Sequence, residues 1–322
     1  MEVEHIILIV LGVLALAWIA IFGALIVSLV CYLMTFYSPS SRNVKENPVI
    51  SDVKIVYNNN MDKLVGWRKQ VDTYTAENIY IKAFDGLKLH GKYYKFKDGA
   101  PIELLVHGYR GSADRDMNGC VVRAFENGRN AFVVDNRASG ESQGHTITFG
   151  VNESRDLEKW IEYIITNIDK DAKIILAGVS MGAATVLITC GKNLPKNVVA
   201  CIADCGYTSQ KEMIMNIVGR MKLPPKLMYP FIKLGAGIFG HFDIDETTPF
   251  EMVKKSKIPI IFYHGENDTF VPFEMSKKNF DACPHENKKF VPIKEGGHGA
   301  SYLVETEYYT KSLNEFLNPF IN

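Results

Sequence analysis

The sequence predicts an α/β protein: a mainly parallel, doubly wound sheet with an inserted helical cap, preceded by one transmembrane helix. Three observations carry this. Short, almost wholly apolar runs such as IELLVHG (102–108), NAFVVDN (130–136) and KIILAGV (173–179) alternate with segments of helical character. A strand covered on both faces has no polar side to show, so it reads as continuous apolar sequence. Residues Ile6 to Ser41 carry no charged side chain, and Ile6 to Met34 is almost purely aliphatic. Finally, a long apolar insertion separates two of the strands, between Cys205 and Pro259.

The N-terminal run exceeds the ~20 apolar residues that span a bilayer core. A cleaved signal peptide starts from a positive segment and has a short apolar core. Here the run follows MEVEH and continues well past Ala15-Leu16-Ala17, the one stretch that imitates a cleavage site. A buried core helix would show polar positions at helical spacing, and none occur. Residues 1–37 are therefore expected to be an uncleaved anchor. Arg42, Lys45 and Lys54 follow the span and no Lys or Arg precedes it. The positive-inside rule then leans the main domain toward the cytoplasm, with the acidic tail outside.

Residues 38–78 read as a linker with Pro39, Pro48 and an Asn58-Asn59-Asn60 tract, plus a short helix near Lys63 to Gln70. The main domain is expected over 79–322. It opens with a hairpin, IYIKAFDGLKLHGKYYKF, turning at Asp85-Gly86 as a two-residue loop. Helices are expected near 115–127, 153–167, 181–192, 273–281 and 302–317, between strands at 102–108, 130–136, 173–179, 198–205, 259–265 and 288–293.

The insertion after Cys205 is rich in Met, Leu, Ile and Phe, with Pro224-Pro225 in its middle. An apolar insertion of that length is not a floppy loop; it is expected to form a helical cap at about 208–248. Its Gly235-Ala-Gly-Ile-Phe-Gly240 matches a dinucleotide fingerprint in letters only, since it follows no strand. Cys201 and Cys205 on one strand would be roughly 13 Å apart, beyond disulfide reach, and reduced, buried thiols are expected. Lys+Arg and Asp+Glu balance at 36 each and the pI is near 7.1. With no basic stripe interleaved with aromatics, a nucleic-acid partner is not expected.

The chemistry centres on LAGVSMGAATV (176–186), where Ser180 lies between Gly178 and Gly182. A strand, G-x-S-x-G and a helix form a nucleophile elbow. Attack needs the serine oxygen raised above the sheet, which forces a strained turn with small neighbours. The helix N-terminus also favours negative charge developing there. Serine alone is too weak a nucleophile and needs a base and an acid. Of the four downstream histidines, His298 in Gly-Gly-His-Gly follows the last strand and is chosen over His241, His264 and His285. Asp268 in HGENDTFVP follows the preceding strand at its carboxyl end, where ligands gather in open α/β sheets. It is preferred to Glu266 and Asp204, while Asp243 and Asp245 are expected to be solvated. The oxyanion donors are expected to be the backbone N–H groups of Met181 and Tyr109, with Gly108 allowing close approach. The Tyr109 side chain has no part in this reading.

The stretches LLVHGYRGS, FVVDNRASGES, LAGVSMGAA, ADCGYTS, HGENDTFVP and GGHG resemble the α/β-hydrolase superfamily over residues 79–320. Within it they are similar to the membrane-anchored bacterial branch related to serine-aminopeptidase-like and BEM46-like hydrolases. The resemblance implies a Ser180–Asp268–His298 triad and an acyl-enzyme on Ser180, with Arg137 and Ser142 structural. It implies no metal or organic cofactor. The expected substrate is a lipophilic ester or thioester met at the membrane. The alternatives are an aminopeptidase or amidase, with Asp243, Asp245 and Glu246 reading an amino terminus, or a non-catalytic membrane scaffold.

Overall fold

The computed structural model describes residues 3–39 and 56–321. Pro48, Arg42, Lys45 and Lys54 lie outside the described residues. Helix α1 (Val3–Thr35) is long and apolar enough to cross a membrane. Helix α2 (Met61–Val71) follows, then an eight-stranded sheet. Its strands are β1 (Ala76–Lys82), β2 (Lys88–Tyr94), β3 (Ile102–Val106), β4 (Asn130–Val134), β5 (Ile174–Val179), β6 (Val198–Asp204), β7 (Ile260–Gly265) and β8 (Lys288–Ile293). The spatial order is β1-β2-β4-β3-β5-β6-β7-β8, with β1, β2 and β4 paired antiparallel and the remainder parallel.

The apolar strands bury both faces. Leu104 packs with Phe132, Trp160, Leu176 and Phe262 on one side, while its neighbour Leu105 packs with Val133, Ile175, Ile261 and Tyr263 on the other. Successive side chains point to opposite faces of a strand, so each apolar run feeds two helical layers at once. The helix after β5, α3 (Met181–Cys190), is buried along its whole length, which accounts for a sequence apolar all round.

The cap comprises α4 (Gln210–Arg220) and α5 (Pro225–Ile238). Ser209 starts α4 by accepting the Glu212 N–H, and Pro225 opens α5 at a position where its missing N–H costs nothing. Beneath the cap lies a third apolar cluster containing Met181, Tyr207, Met213, Ile232 and Phe242, together with Tyr32 and Phe36 from the end of α1.

Several expectations are corrected. The hairpin connection is five residues, 83–87, closed by Gly86 N–H to Ala83 O and Ala83 N–H to Leu87 O, with Gly86 at φ 93°. The short helix expected near Lys63 to Gln70 is present as Met61–Val71, but residues 56–75 pack onto the main domain instead of linking to it. Trp67 stacks on Tyr302, and a side chain at Gly119 would collide with Trp67. Lys63 donates to Leu303 O and Tyr57 to Gly299 O, so the domain begins before residue 79. The helices expected at 115–127 and 302–317 are each broken, into Ala113–Asp116 and Asn118–Glu126, and into Ser301–Val304 and Thr306–Ile321. All six cysteines are free and buried, and Cys205 sits just past the end of β6.

Candidate active site

Ser180 occupies the turn between β5 and α3 with φ 58° and ψ −118°. A non-glycine residue in that region costs of order 1–3 kcal/mol and persists only where its surroundings demand it. Here the demand is steric. A Cβ on Gly182 would strike the Val106 carbonyl, and one on Gly178 would strike the Gly182 backbone. The Ser180 N–H is held by Asp204 O at 2.8 Å. The turn thus raises Oγ at the carboxyl edge of the sheet and aims it at the loop after β8.

From that loop, His298 Nε2 lies 2.9 Å from Ser180 Oγ, and its Nδ1 lies 2.8 Å from Asp268 Oδ2. Asp268 Oδ1 accepts the N–H groups of Phe270 and Val271 at 2.8 and 2.9 Å. Burial alone would raise this carboxyl. The charge of His298 and hydrogen bonds from His264 and His298 outweigh burial and hold Asp268 well below the usual carboxylate range. The three residues chosen from the sequence therefore meet in one hydrogen-bonded chain.

The rejected candidates lie elsewhere. Glu266 is exposed, as is His241, and His285 accepts the Asn287 N–H in a turn. Asp204 is buried and accepts the Ser301 hydroxyl at 2.7 Å. Arg137 makes a bidentate pair with Asp156, and Ser142 Oγ donates to Asp135 O. The acids after the cap are exposed, as expected, and also ion-paired at the surface: Lys233 bridges Asp243 and Asp245, Tyr229 bonds Asp245, and Arg155 pairs with Glu246.

On the oxyanion side, a Cβ on Gly108 would lie 3.4 Å from Ser180 Cβ, so the loop after β3 closes against the serine. Met181 begins α3 beside it. The Tyr109 side chain is not idle, however. Its hydroxyl donates to Thr35 O at the end of α1 (2.8 Å) and its ring packs on Phe149. Burial pushes that phenol up to about 12. Arg110, at φ 53°, donates to Met34 O and Tyr37 O.

Two further groups escaped the sequence reading. His264 is fully buried, with Nδ1 2.7 Å from Ser276 Oγ and Nε2 3.0 Å from Val271 O and 3.1 Å from Asp268 Oδ2. Two acceptors facing Nε2 put a proton there, so His264 holds the same carboxylate oxygen, Oδ2, that His298 contacts. Its position four residues before Asp268 was the available signal. Second, a cleft of about 300 Å³ opens beside His298, lined among others by Asn59, Asn60, Asn267, Thr269 and Glu295. The asparagine tract assigned to a linker thus borders the site.

Cys205, Asp268 and His298 bring a thiol, a carboxylate and an imidazole within 4.8 Å of one another. Both His298 nitrogens are engaged by Ser180 and Asp268, and burial pushes the Cys205 thiol well above its ordinary value. His298 and Asp268 are thus committed to the hydrogen-bonded chain, not arranged around an open centre.

A family model described as the α/β-hydrolase fold matches residues 104–233. Together with the eight-stranded, mostly parallel sheet, this match supports the α/β-hydrolase superfamily. Among curated proteins, the chain is 26% identical over 193 residues to the uncharacterized protein YqkD of Bacillus subtilis, covering 59% of this chain and 63% of that one. It therefore spans less than two thirds of that relative. Among solved structures, it resembles the Pyrococcus furiosus esterase Pf2001, with a TM-score of 0.64 and 21% identity over 78% of this chain and 94% of that one. A puromycin-hydrolyzing peptidase of Mycobacterium tuberculosis aligns with a TM-score of 0.61 and 14% identity, over 77% of this chain and 40% of the peptidase. At these identities the structural likenesses speak for the fold.

Proposed function

We propose that this hydrolase is a serine hydrolase that cleaves a carboxylic ester or thioester through an acyl-enzyme on Ser180. The observation that carries the reading is the unbroken chain from Ser180 Oγ through His298 to Asp268, on a strained elbow. Oγ attacks the acyl carbon while His298 Nε2 takes its proton, and Asp268 stabilises the resulting imidazolium. Backbone N–H groups of Met181 and Tyr109 receive the negative charge on the carbonyl oxygen, each worth about 3–4 kcal/mol in comparable sites. The Nε2 proton passes to the leaving alcohol or thiol. Water, deprotonated by His298, then attacks the acyl carbon and releases the acid, returning the proton to Ser180.

An amphiphilic substrate fits the surroundings. His298 must protonate the leaving group, and the cleft beside it is lined by polar side chains. The apolar cluster under the cap includes Met181, the residue next to the serine, and reaches His298 through Phe270. The aminopeptidase reading is less well supported, because the acids it would use are paired with Lys233 and Arg155. Helix α1 is read as a single-pass anchor. The charge asymmetry between MEVEH and Arg42, Lys45 and Lys54 favours a cytoplasmic domain.

The test is labelling of membranes carrying the full chain with a fluorophosphonate probe. The parent is expected to label, and Ser180→Ala and His298→Ala are not. Absence of labelling in folded parent protein would overturn the acyl-enzyme reading and favour the scaffold.

A further inference from the structure

The two halves of α1 differ. Every described residue from Val3 to Gly23 is exposed, and at 1.5 Å per residue these 21 residues extend about 31 Å, the thickness of a bilayer core. From Ala24 onward one face turns to protein. Ser28, Cys31, Tyr32 and Phe36 are buried, and Ala24, Leu25 and Thr35 are half-buried. That face packs along α5, where Gly235 lies so close that any side chain would strike the Ser28 carbonyl, and Tyr32 meets Phe239. Gly235, the first glycine of the GxGxxG-like stretch, is explained by this approach.

The opposite face of the same segment stays aliphatic to its end: Val27, Val30, Leu33 and Met34 are all exposed, Met34 by 57%. No charge interrupts it before Arg42. Such a face needs lipid down to the last turn, and α5 sits at that level. Helix α5 carries its own apolar stripe. Leu227, Pro230, Leu234 and Ile238 are exposed at helical spacing, opposite the buried Tyr229, Ile232 and Ala236. Met221 and Leu223, just before it, extend the stripe, and Lys222 and Lys226 are exposed at its margin. Lysines there can lay their stems on apolar surface and reach headgroups.

We propose that α5 lies in the interfacial layer of the bilayer that α1 spans, so that α1 and α5 form one continuous lipid-contacting face and lipid is the partner of the cap. The proposal rests on reading α1 as a membrane anchor. It gives the acyl substrate a route: the cap that covers the apolar cluster beside Ser180 is itself in contact with the leaflet, so a lipid-borne acyl chain approaches without crossing bulk water.

The test uses tryptophan quenching in the full chain reconstituted into phosphatidylcholine vesicles with brominated acyl chains. Trp18 lies in the free half of α1 and reports the anchor in the parent. Leu234→Trp in a Trp18→Phe background reports α5, against the baseline of Trp67 and Trp160. An apolar helix face seated at headgroup–acyl depth predicts that the added emission falls about twofold or more in brominated lipid. If Trp18 is quenched but the residue-234 tryptophan responds only to aqueous acrylamide, the stripe faces water and the proposal is overturned while the anchor stands. If neither agent reaches it, a second copy covers the stripe, and the proposal is equally overturned. If Trp18 itself is not quenched, the anchor reading and the proposal fall together. Fluorophosphonate labelling is independent of all these outcomes.

Discussion

Ser180 and Tyr109 follow neighbouring strands, β5 and β3, yet they are held by opposite means. The elbow is built from its immediate surroundings: Gly178, Gly182, the Val106 carbonyl and the Asp204 carbonyl leave the serine one backbone conformation. The Tyr109 loop is held from outside. Its hydroxyl and the neighbouring Arg110 guanidinium reach carbonyls at Met34, Thr35 and Tyr37, more than seventy residues earlier in the chain. One half of the site is therefore set by the sheet, and the other depends on where the N-terminal helix ends. If that comparison is right, changes near the elbow should alter chemistry alone, whereas changes at the end of α1 should alter fold and chemistry together.

The largest effect is expected from Asp268→Asn. The amide keeps the shape but cannot stabilise imidazolium, and in comparable triads kcat falls about 10⁴-fold. The same variant reads out on stability. A carboxyl whose native pKa is depressed contributes stability fully above its unfolded value, about 3.9, and loses it as pH falls through the native value. The parent should thus lose melting temperature on acidification below about pH 4 more steeply than Asp268→Asn. Parallel Tm–pH curves for the two proteins would mean that Asp268 is not held by its histidines as the geometry indicates.

The same contrast explains what could be read in advance. The parallel sheet, the elbow and the Ser180, Asp268 and His298 trio were legible because each rests on a short local pattern: an apolar strand, small residues two places either side of a serine, a loop at a strand's carboxyl end. The partner of Tyr109 was not legible. Nothing in YRGS signals that its phenol meets Thr35, because the contact exists only once α1 has docked on the cap. The helix at 61–71 was legible, but its docking on the domain was missed for a related reason. The polarity of residues 56–75 resembles a linker, and only Trp67 on Tyr302 and Lys63 on Leu303 O draw them into the fold. The five-residue hairpin loop was missed because Asp85-Gly86 suits a two-residue turn equally well.

A smaller effect, but on the other side of the comparison, comes from Phe36→Ala. Phe36 is fully buried against the rings of Phe149 and Phe242. Removing a buried phenylalanine costs about 3–5 kcal/mol, measurable by urea unfolding of the detergent-solubilised full chain. A stability within error of the parent would mean that the end of α1 is a tether and not a part of the cap.

The most discriminating change is the smallest. Tyr109→Phe keeps the ring on Phe149 and deletes only the hydroxyl that donates to Thr35 O. That carbonyl belongs to the last turn of α1, where no intrahelical donor is left to satisfy it, so the deletion costs about 1 kcal/mol. If the bond does nothing but stabilise, Tm shifts slightly and kinetics do not. If it holds the oxyanion loop, the loss appears in the transition state, where the Tyr109 N–H meets developing charge. Then kcat on a short, water-soluble ester should fall about five- to tenfold with KM nearly unchanged, the signature of an interaction made only in the transition state. A soluble substrate in detergent removes any contribution from membrane access, so the fall would belong to the loop alone. An unchanged kcat would show that Gly108 and β3 suffice to position the donor, and both halves of the site would then be set by the sheet.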